Sequence, residues 1–311
     1  MEVREWTWFD IPEYEGTPEG AERITPNPGD EVGVMYIPDV EYAEVDGIHL
    51  KLQILRPMNR RDPMRTFPCI CYVPGSAWQK QEMYMNLPEL AALAKRGYVV
   101  AAIQYRHSRQ ATFPAQIQDM KNAIRFMKFN AMMYGADPSK FFVAGSSSGG
   151  HTAMFNPIIY DWHIDDRNMF GMFGVNAKVK GIINYFGSVS CIMPDGNPTT
   201  INHKLPWSPE GMFLGCNLYD NWELAKKATV VENITPELPM PPVCIFHGTK
   251  DTVVNTKQSV ELYEKLKECG KDVRLYLVEG ADHGGGEFSS DKVLDKVDEF
   301  IRYCLEKNEE A

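Results

Sequence analysis

A chain of 311 residues is long enough for one large domain with a substantial core, and its 44% hydrophobic and 24% charged residues are ordinary for a globular protein. The net charge of −10 argues against nucleic acid or an anionic membrane surface as the main partner and favours a neutral small-molecule substrate. No apolar run reaches the length of a membrane span or forms the core of a signal peptide, so we expect a cytoplasmic protein.

The seven cysteines show neither a disulfide framework nor a metal site. Their number is odd, they are scattered, and no metal-type C-x-x-C pair is present, which predicts reduced thiols in the core. No cluster of His, Cys, Asp and Glu has metal-site spacing, and no glycine-rich phosphate loop carries a lysine. The sequence therefore implies neither a metal nor a cofactor.

The first part of the chain, residues 1–38, is rich in acids, prolines and aromatics and shows no clear hydrophobic period. This pattern predicts an irregular arm packed on its own domain. A position over the mouth of the site or against a second copy of the chain is the alternative, which leaves a homodimer open. Regular structure is expected from Val40, and alternating apolar residues over 48–54, after the Asp46-Gly47 turn, predict an antiparallel hairpin at a sheet edge.

Beyond residue 68 the pattern changes to buried apolar strands separated by helices. Repeated strand–helix–strand units predict a mainly parallel sheet with helices on both faces, so we expect residues 39–311 to form a single α/β domain. Residues 155–206 carry many aromatics and methionines around one predicted strand at 179–186 and are expected to form a lid or a pocket wall, with core packing as the alternative. The other predicted elements are strands at 69–73, 98–103, 141–144, 243–246 and 273–278, helices at 87–96 and 114–134, and two later helices, one through 260–266 and a final one through 293–304.

The apolar run at 141–144 breaks abruptly into the G-S-S-S-G motif of residues 145–149, and an apparent helix follows. Of the three serines, only Ser147 has a glycine two residues before it and two residues after it, which is the G-x-S-x-G frame of a nucleophile on a sharp strand-to-helix turn. The glycines remove side chains where strand and helix nearly touch, and the helix amino terminus favours negative charge beside the serine. The motif alone is modest evidence, because a glycine-rich turn leading into a core helix has the same composition.

Two further loops place an aspartate and a histidine, both candidates for catalysis, at the carboxyl ends of predicted strands. Asp251 follows the strand at 243–246, and His283 follows the strand at 273–278 in a glycine-rich segment. A serine nucleophile needs an imidazole to take its proton, and the imidazole needs a carboxylate to hold its tautomer. Ser147, Asp251 and His283 occur in the order typical of α/β-hydrolases, so we expect a triad at one edge of the sheet. The alternative for His283 is an exposed loop histidine.

Five further stretches carry distinctive motifs: V-P-G-S-A-W at 73–78, Q-Y-R at 104–106 with F-P-A at 113–115, Y-G-A-D-P at 134–138, H-G-T-K-D at 247–251 and D-H at 282–283. With these motifs the chain from about residue 39 to residue 306 resembles α/β-hydrolase-fold serine esterases, in the hormone-sensitive-lipase-like and feruloyl- or acetyl-esterase-like (BD-FAE-like) branch. The first stretch stands where that branch has His-Gly-Gly-Gly-Trp. It departs from the pattern because Pro74 replaces the histidine and Ser76 and Ala77 replace two glycines.

The resemblance implies an oxyanion hole built from the main-chain N–H groups of Gly75, Ser76 and Ser148, since main-chain donors survive the side-chain replacements in the loop. It also places Trp78 beside this loop, where the indole either lines the acyl pocket and binds substrate or has a purely structural role.

Three other conspicuous residues are given structural roles. His151 lies four residues after Ser147 in the same predicted helix and is poorly aimed at the serine hydroxyl, so we expect it to pack within the fold. His247 is expected to satisfy a hydrogen bond at the end of the sheet. Arg106 is expected to anchor a loop through Asp119.

The residues and the resemblance together predict a serine carboxylesterase, in which His283 deprotonates Ser147, Asp251 orients His283, and water releases the acyl-enzyme. Short-chain acyl esters are the expected substrates, and the resemblance suggests acetyl or feruloyl groups on a plant-derived sugar or oligosaccharide. Two alternatives stay open. The same triad cleaves amides in peptidases and aryl formamidases of this fold, and a non-catalytic receptor that keeps the pocket is a different class altogether, although a receptor has no need of all three residues.

Overall fold

The computed structural model describes residues 5–25, 32–59, 62–159, 174–192, 200, 202–203 and 205–307. It divides the chain into two compact units, Met1–Glu31 and Val32–Ala311. In the first unit, residues 5–25 are exposed and form turns but neither helix nor strand. The second unit contains the sheet and its helices. Much of the segment predicted as a lid or pocket wall, residues 155–206, lies outside the described residues, so the lid stays a prediction.

Eight strands of the second unit form one sheet: β1 (Gly33–Val45), β2 (Ile48–Met58), β3 (Phe67–Val73), β4 (Val99–Ile103), β5 (Ala136–Ser146), β6 (Ile182–Tyr185), β7 (Val243–Gly248) and β8 (Val273–Val278). Their order across the sheet is β1-β2-β4-β3-β5-β6-β7-β8. β2 is antiparallel to both β1 and β4, and the other neighbours run parallel. A mainly parallel sheet with an antiparallel amino-terminal hairpin is the predicted α/β-hydrolase architecture, and this prediction is confirmed.

The helices in the described part of the second unit are α1 (Leu87–Lys95), α2 (Ala115–Phe129), α3 (Ser148–Ile158), α4 (Pro209–Leu214), α5 (Trp222–Lys227), α6 (Lys257–Glu268) and α7 (Asp291–Lys307). Short 3₁₀ helices lie at Ala131–Tyr134, Val231–Asn233 and Gly286–Ser289.

The parallel strands are buried on both faces, which explains why their sequences are continuous apolar runs rather than alternating patterns. In β3, Cys69 and Cys71 belong to one core layer, whereas Ile70 and Tyr72 belong to the other. Residues of α2, α3 and α6 complete the first layer, and residues of α1 and α7 complete the second. Helices therefore cover both faces of the sheet, and loops follow the carboxyl ends of its parallel strands.

The predicted start of regular structure is wrong. β1 begins at Gly33 rather than at Val40, so the irregular arm does not extend to residue 38. A register shift between Ile37 and Val40 lets the strand continue through Pro38 and Asp39, and Asp39 adopts a φ of 51°. Proline and aspartate next to each other are typical of a turn, but an edge strand accommodates them in a β-bulge.

The predicted helix at 114–134 is shorter than expected. α2 ends at Phe129, and the side chain of Asn130 donates a hydrogen bond back to the Phe126 carbonyl oxygen at 2.9 Å. Asparagine favours such local bonds over continued helix. The chain then passes through the 3₁₀ turn at Ala131–Tyr134 and leaves it at Gly135, which has a φ of 69°.

Candidate active site

Ser147 lies on the tight turn between β5 and α3. Its φ of 52° and ψ of −125° form a backbone conformation that residues other than glycine rarely adopt. The flanking glycines are required by space, because a Cβ on Gly145 would overlap the Gly149 carbonyl oxygen and a Cβ on Gly149 would overlap the Val73 carbonyl oxygen. The turn therefore presents the serine at the carboxyl edge of the sheet, beside the amino terminus of α3.

His283 joins Ser147 and Asp251 through its two ring nitrogens. Nε2 lies 2.9 Å from Ser147 Oγ, and Nδ1 lies 2.8 Å from Asp251 Oδ2. Since an ionised carboxylate only accepts, Nδ1 carries the hydrogen and Nε2 accepts from the serine hydroxyl. The three residues come from the ends of β5, β7 and β8, and the fold brings them into one hydrogen-bonded line.

The Asp251 side chain is completely buried. Its Oδ1 accepts the N–H groups of Val253 at 2.9 Å and Val254 at 2.7 Å. Burial by itself would raise the pKa of Asp251, but hydrogen bonds from His247, His283 and the Val253 N–H hold that pKa well below its usual value. The carboxylate therefore keeps its negative charge beside His283 at neutral pH.

A second carboxylate, Asp282, ties the loop after β8 to the loop after β7. Its Oδ1 accepts the Thr252 N–H at 2.8 Å, the Thr252 hydroxyl at 2.9 Å and the His283 N–H at 2.7 Å. The ring of Phe186 packs against the imidazole of His283 with centroids 4.8 Å apart. The role of Asp282 in joining the two loops was not predicted from the sequence, where the D-H pair at 282–283 is its only signal.

The loop after β3 does not present the donors that we predicted. The Gly75 N–H donates to Ser146 Oγ at 3.1 Å and the Ser76 N–H donates to Ser148 Oγ at 3.0 Å, so both predicted oxyanion donors are engaged by serine hydroxyls. Within the described residues, no acceptor faces the N–H groups of Ser148 and Ala77. Ala77 has a φ of 52° and lines the cavity beside the site. Among the described residues, the N–H groups of Ser148 and of Ala77, which stands at the third glycine of the family motif, are thus left without an acceptor.

Trp78 has the structural role, and its assignment to substrate binding is wrong. The indole is 1% exposed, stacks on Phe213 with centroids 4.3 Å apart, and meets the His151 ring edge-on at 5.1 Å. The Trp78 carbonyl oxygen accepts both the N–H and the hydroxyl of Ser108 at 2.8 Å. Trp78 is not among the described residues that line the cavity. The backbone of Trp78 is left-handed, with a φ of 53°, and its side chain lies in the core, where it supports the loop after β3.

A cavity of about 520 Å³ opens beside Ser147 and His283. Its walls come from the loop after β3, from α1 and from the segment between β8 and α7. Leu90 and Phe288 belong to its apolar side, and Glu89 brings a carboxylate to its edge. A mostly apolar wall with few polar groups is typical of a small-molecule site.

The predicted structural roles of Arg106 and His151 are confirmed. Arg106 Nε and Nη2 both donate to the buried Asp119 carboxylate at 2.9–3.1 Å. His151 Nε2 lies 2.7 Å from the Ala228 carbonyl oxygen, and burial lowers the pKa of this histidine to about 4. A neutral histidine bonded to the main chain is a packing residue of α3.

In the described ranges, one group of potential metal ligands lies together, formed by Glu41, Glu44 and His49 on the β1–β2 hairpin. All three side chains are exposed, and the 3.0 Å pairing of His49 Nδ1 with Glu41 accounts for their arrangement. Of the helices that the structure describes, none has both the length and the hydropathy needed to cross a bilayer.

The comparison with protein families decides the membership of the chain. The BD-FAE family model matches residues 52–266, a range that includes Ser147 and Asp251. The chain belongs to the BD-FAE family.

Curated relatives of this BD-FAE family chain are named esterases. Esterase LipQ of Mycobacterium tuberculosis is 26% identical over 212 residues, which cover 67% of the chain and 48% of that esterase. Esterase LipC of the same organism is 25% identical over 240 residues, covering 75% of the chain and 57% of that esterase. The chain thus spans about half the length of the curated relatives it matches.

Solved structures cover more of the BD-FAE family chain. A truncated carbohydrate esterase from gut microbiota is 25% identical with a TM-score of 0.72, and the match covers 90% of this chain and 98% of that one. Esterase 2 of Thermogutta terrifontis, solved with butyrate bound and also with propionate bound, is 26% identical with a TM-score of 0.66. The butyrate-bound match covers 89% of this chain and 94% of that one.

Proposed function

We propose that this BD-FAE family chain is a serine carboxylesterase, with Ser147 as nucleophile, His283 as general base and acid, and Asp251 as the residue that orients His283. One observation carries the proposal: the His283 imidazole lies 2.9 Å from the hydroxyl of Ser147, whose backbone is strained, and 2.8 Å from the buried carboxylate of Asp251. This is the arrangement that turns a serine into a nucleophile at neutral pH. The esterase names of the relatives support the same reaction class.

In the proposed first step, His283 Nε2 takes the Ser147 hydroxyl proton while Oγ attacks the ester carbonyl carbon. The carbonyl electron pair moves onto its oxygen, and the free N–H groups of Ser148 and Ala77 are the donors available to that oxyanion. Loss of one such donor costs about 10²–10³ in kcat. Asp251 stabilises the positive charge that His283 then carries.

The imidazolium of His283 next gives its proton to the alkoxy oxygen as the carbon–oxygen bond breaks, which releases the alcohol and leaves acyl-Ser147. Water then gives its proton to His283 Nε2 and attacks the acyl carbon. The second tetrahedral intermediate collapses with return of a proton to Ser147 Oγ, and the carboxylic acid leaves.

The proposed substrates are short-chain acyl esters, and an acetyl or feruloyl group on a plant-derived sugar or oligosaccharide is the proposed natural form. The carbohydrate esterase among the solved structures supports the sugar, and the propionate and butyrate held by Thermogutta terrifontis esterase 2 support the short acyl group. A cavity of about 520 Å³ beside Ser147 has room for a short acyl group together with part of the alcohol.

The test is hydrolysis of a nitrophenyl ester series from acetate to decanoate by the wild type, Ser147→Ala and Ser139→Ala. Ser139 is the matched control, because it is an exposed serine on the same strand, at the opposite end from the site. We expect the highest rate with acetate to butyrate, a loss of about a thousandfold or more in Ser147→Ala, and no change in Ser139→Ala.

The same proteins should then be offered acetylated and feruloylated oligosaccharides, an aryl formamide, a peptide anilide and a fluorophosphonate probe. Covalent labelling of the wild type but not of Ser147→Ala supports the nucleophile. Faster cleavage of the amides than of the esters would favour an amide hydrolase. Absence of both labelling and hydrolysis would favour the receptor.

A further inference from the structure

Two histidines contact the same oxygen of Asp251. His283 Nδ1 lies 2.8 Å from Asp251 Oδ2, and His247 Nε2 lies 3.1 Å from that oxygen. His247 occupies the end of β7, four residues before the carboxylate, and neither its side chain nor that of Asp251 is exposed at all. The carboxylate therefore divides its charge between two imidazoles, of which only one reaches Ser147.

The contacts of His247 determine which of its nitrogens carries the hydrogen. Nε2 lies 2.9 Å from the Val254 carbonyl oxygen as well as 3.1 Å from Asp251 Oδ2, and both oxygens only accept. Nε2 therefore carries a hydrogen that the two oxygens share. Nδ1 lies 2.6 Å from Ser259 Oγ, so both ring nitrogens of this buried histidine have a hydrogen-bond partner.

We propose that His247 is a positioning residue of the reaction, which fixes the Asp251 carboxylate through its Nε2–H and limits the negative charge that Asp251 offers to His283. The inference rests on the proposed function of Ser147 and His283. A hydrogen-bond donor to a carboxylate oxygen stabilises the negative charge and so reduces the basicity of that oxygen. Neighbouring residues adjust the basicity of metal ligands and catalytic acids in the same way. His247 would thereby hold the carboxylate in place and weaken its interaction with the His283 imidazole.

The surroundings of Asp251 are compatible with this role. The loop after β8 brings His283 and the carboxylate of Asp282, β7 brings His247, and α6 brings the uncharged Ser259. Hydrogen bonds from both histidines lower the pKa of Asp251, and the charge of His283 lowers it further. His247 is thus a full partner of the acid, although it lies away from the serine.

The decisive experiment is the pH profile of kcat/KM on a short-chain nitrophenyl ester for wild type, His247→Leu, His247→Gln and Ser259→Ala. Leucine fills similar space but donates no hydrogen bond, so the Asp251 carboxylate interacts more strongly with His283. The acid limb of the profile, where kcat/KM falls as the pH is lowered, should therefore move to higher pH by about half a unit or more. Glutamine retains an N–H at the position of Nε2 and should restore the wild-type limb. Ser259→Ala perturbs the same buried histidine but leaves Nε2–H on Asp251, and its limb should not move.

An unchanged acid limb in His247→Leu, or equal displacement of the limb in His247→Leu and Ser259→Ala, would overturn the proposal and leave His247 as a packing residue. Should His247→Leu not fold, NMR of the wild type with ¹⁵N-labelled histidine gives the answer. We expect Nε2–H as the tautomer of His247, with a resonance that follows the titration of His283 because both rings share one oxygen. A resonance independent of that titration contradicts the proposal.

Failure of the proposed function is distinguishable from failure of this inference. If Ser147→Ala keeps wild-type hydrolysis, the esterase mechanism is wrong whatever the pH profiles show. If Ser147→Ala is inactive and His247→Leu keeps its acid limb, the mechanism stands and only the role of His247 falls.

Discussion

Arg106 and Asp119 form a buried ion pair that joins the loop after β4 to α2. The guanidinium donates to both carboxylate oxygens, and the Arg106 N–H adds a bond at 2.8 Å. The two side chains are 10% and 0% exposed. A charge buried to this degree is tolerated only because its partner is present.

Replacement of one partner should therefore be costly. We expect Asp119→Asn to lower the free energy of unfolding by about 3 kcal/mol or more, since Arg106 is left buried without a counter-charge. Urea denaturation measures this loss. The matched control is Asp137→Asn, whose pair with Lys140 is 22% and 43% exposed and whose loss should cost about 1 kcal/mol or less. Equal losses in the two variants would show that burial of the pair does not decide its importance.

The close approach of Gly149 to Val73 predicts that the second glycine of the G-x-S-x-G motif, on the nucleophile elbow at residues 145–149, tolerates no side chain. A methyl group there would overlap a main-chain oxygen of β3, which has no freedom to move away. We expect Gly149→Ala to lose about 3 kcal/mol or to fail to fold. Thermal unfolding compares it with Gly33→Ala, where the nearest atom to the new Cβ is the Met58 oxygen at 3.8 Å. If the Gly149→Ala protein were as stable as Gly33→Ala, lack of space for a Cβ would not explain the glycine of the motif.

The hydroxyl of Ser148 should influence kcat without touching substrate. It accepts the Ser76 N–H at 3.0 Å and so fixes the loop that carries Ala77. Ser148→Ala removes one hydrogen bond of about 1 kcal/mol, and we expect kcat on nitrophenyl acetate to fall about tenfold with KM nearly constant. Thr152→Ala is the control, because the Thr152 hydroxyl bonds within α3 to the Ser148 carbonyl oxygen. A rise in KM at constant kcat would assign Ser148 to substrate binding instead.

The lowered pKa of Asp251 predicts a specific dependence of stability on pH. A carboxylate whose folded pKa lies below its unfolded pKa of about 3.9 stabilises the fold at pH values above the unfolded pKa, and this contribution disappears as the pH falls toward the folded pKa. The difference in free energy of unfolding between wild type and Asp251→Asn should thus be constant from pH 8 to about pH 5 and shrink below about pH 4. Urea denaturation at a series of pH values measures this difference. A difference that grows in acid would mean that folding raises the pKa of Asp251 rather than lowering it.

Asp251→Asn should also lower kcat by about 10⁴, because asparagine presents no negative charge to His283 and favours the wrong tautomer of the imidazole. Hydrolysis of nitrophenyl acetate measures the loss. Activity within tenfold of the wild type would mean that another group orients His283.

The meeting of Ser147, Asp251 and His283 at one edge of the sheet was predictable, because the sequence signals for these residues are local and ordered. A G-x-S-x-G frame after an apolar run, and an aspartate and a histidine each directly after a later apolar run, suffice once parallel strands are expected to end at one edge. The fold class was predictable from the same continuous apolar runs, because parallel strands that are buried on both faces have apolar residues at every position.

Side-chain direction on the loop after β3 was not predictable from composition. Ala77 and Trp78 both adopt positive φ, and this pair of backbone angles turns the indole into the core and leaves the Ala77 N–H without an acceptor among the described residues. The engagement of Gly75 and Ser76 by two serine hydroxyls likewise depends on tertiary contact between β3 and the elbow. The early start of β1 was missed because a β-bulge hides a strand behind a turn-like Pro38-Asp39 pair.

Because of the order of the strands, assembly of the site depends on the pairing of four neighbouring strands during folding. Ser147 and His283 are 136 residues apart in the chain, and β6 and β7 lie between their strands in the sheet. The hydroxyl and the imidazole meet only after β5, β6, β7 and β8 have paired in succession, and such long-range parallel pairings form slowly. During refolding from denaturant, helical circular dichroism should therefore recover before ester hydrolysis, and the lag between the two signals measures the closing of this half of the sheet.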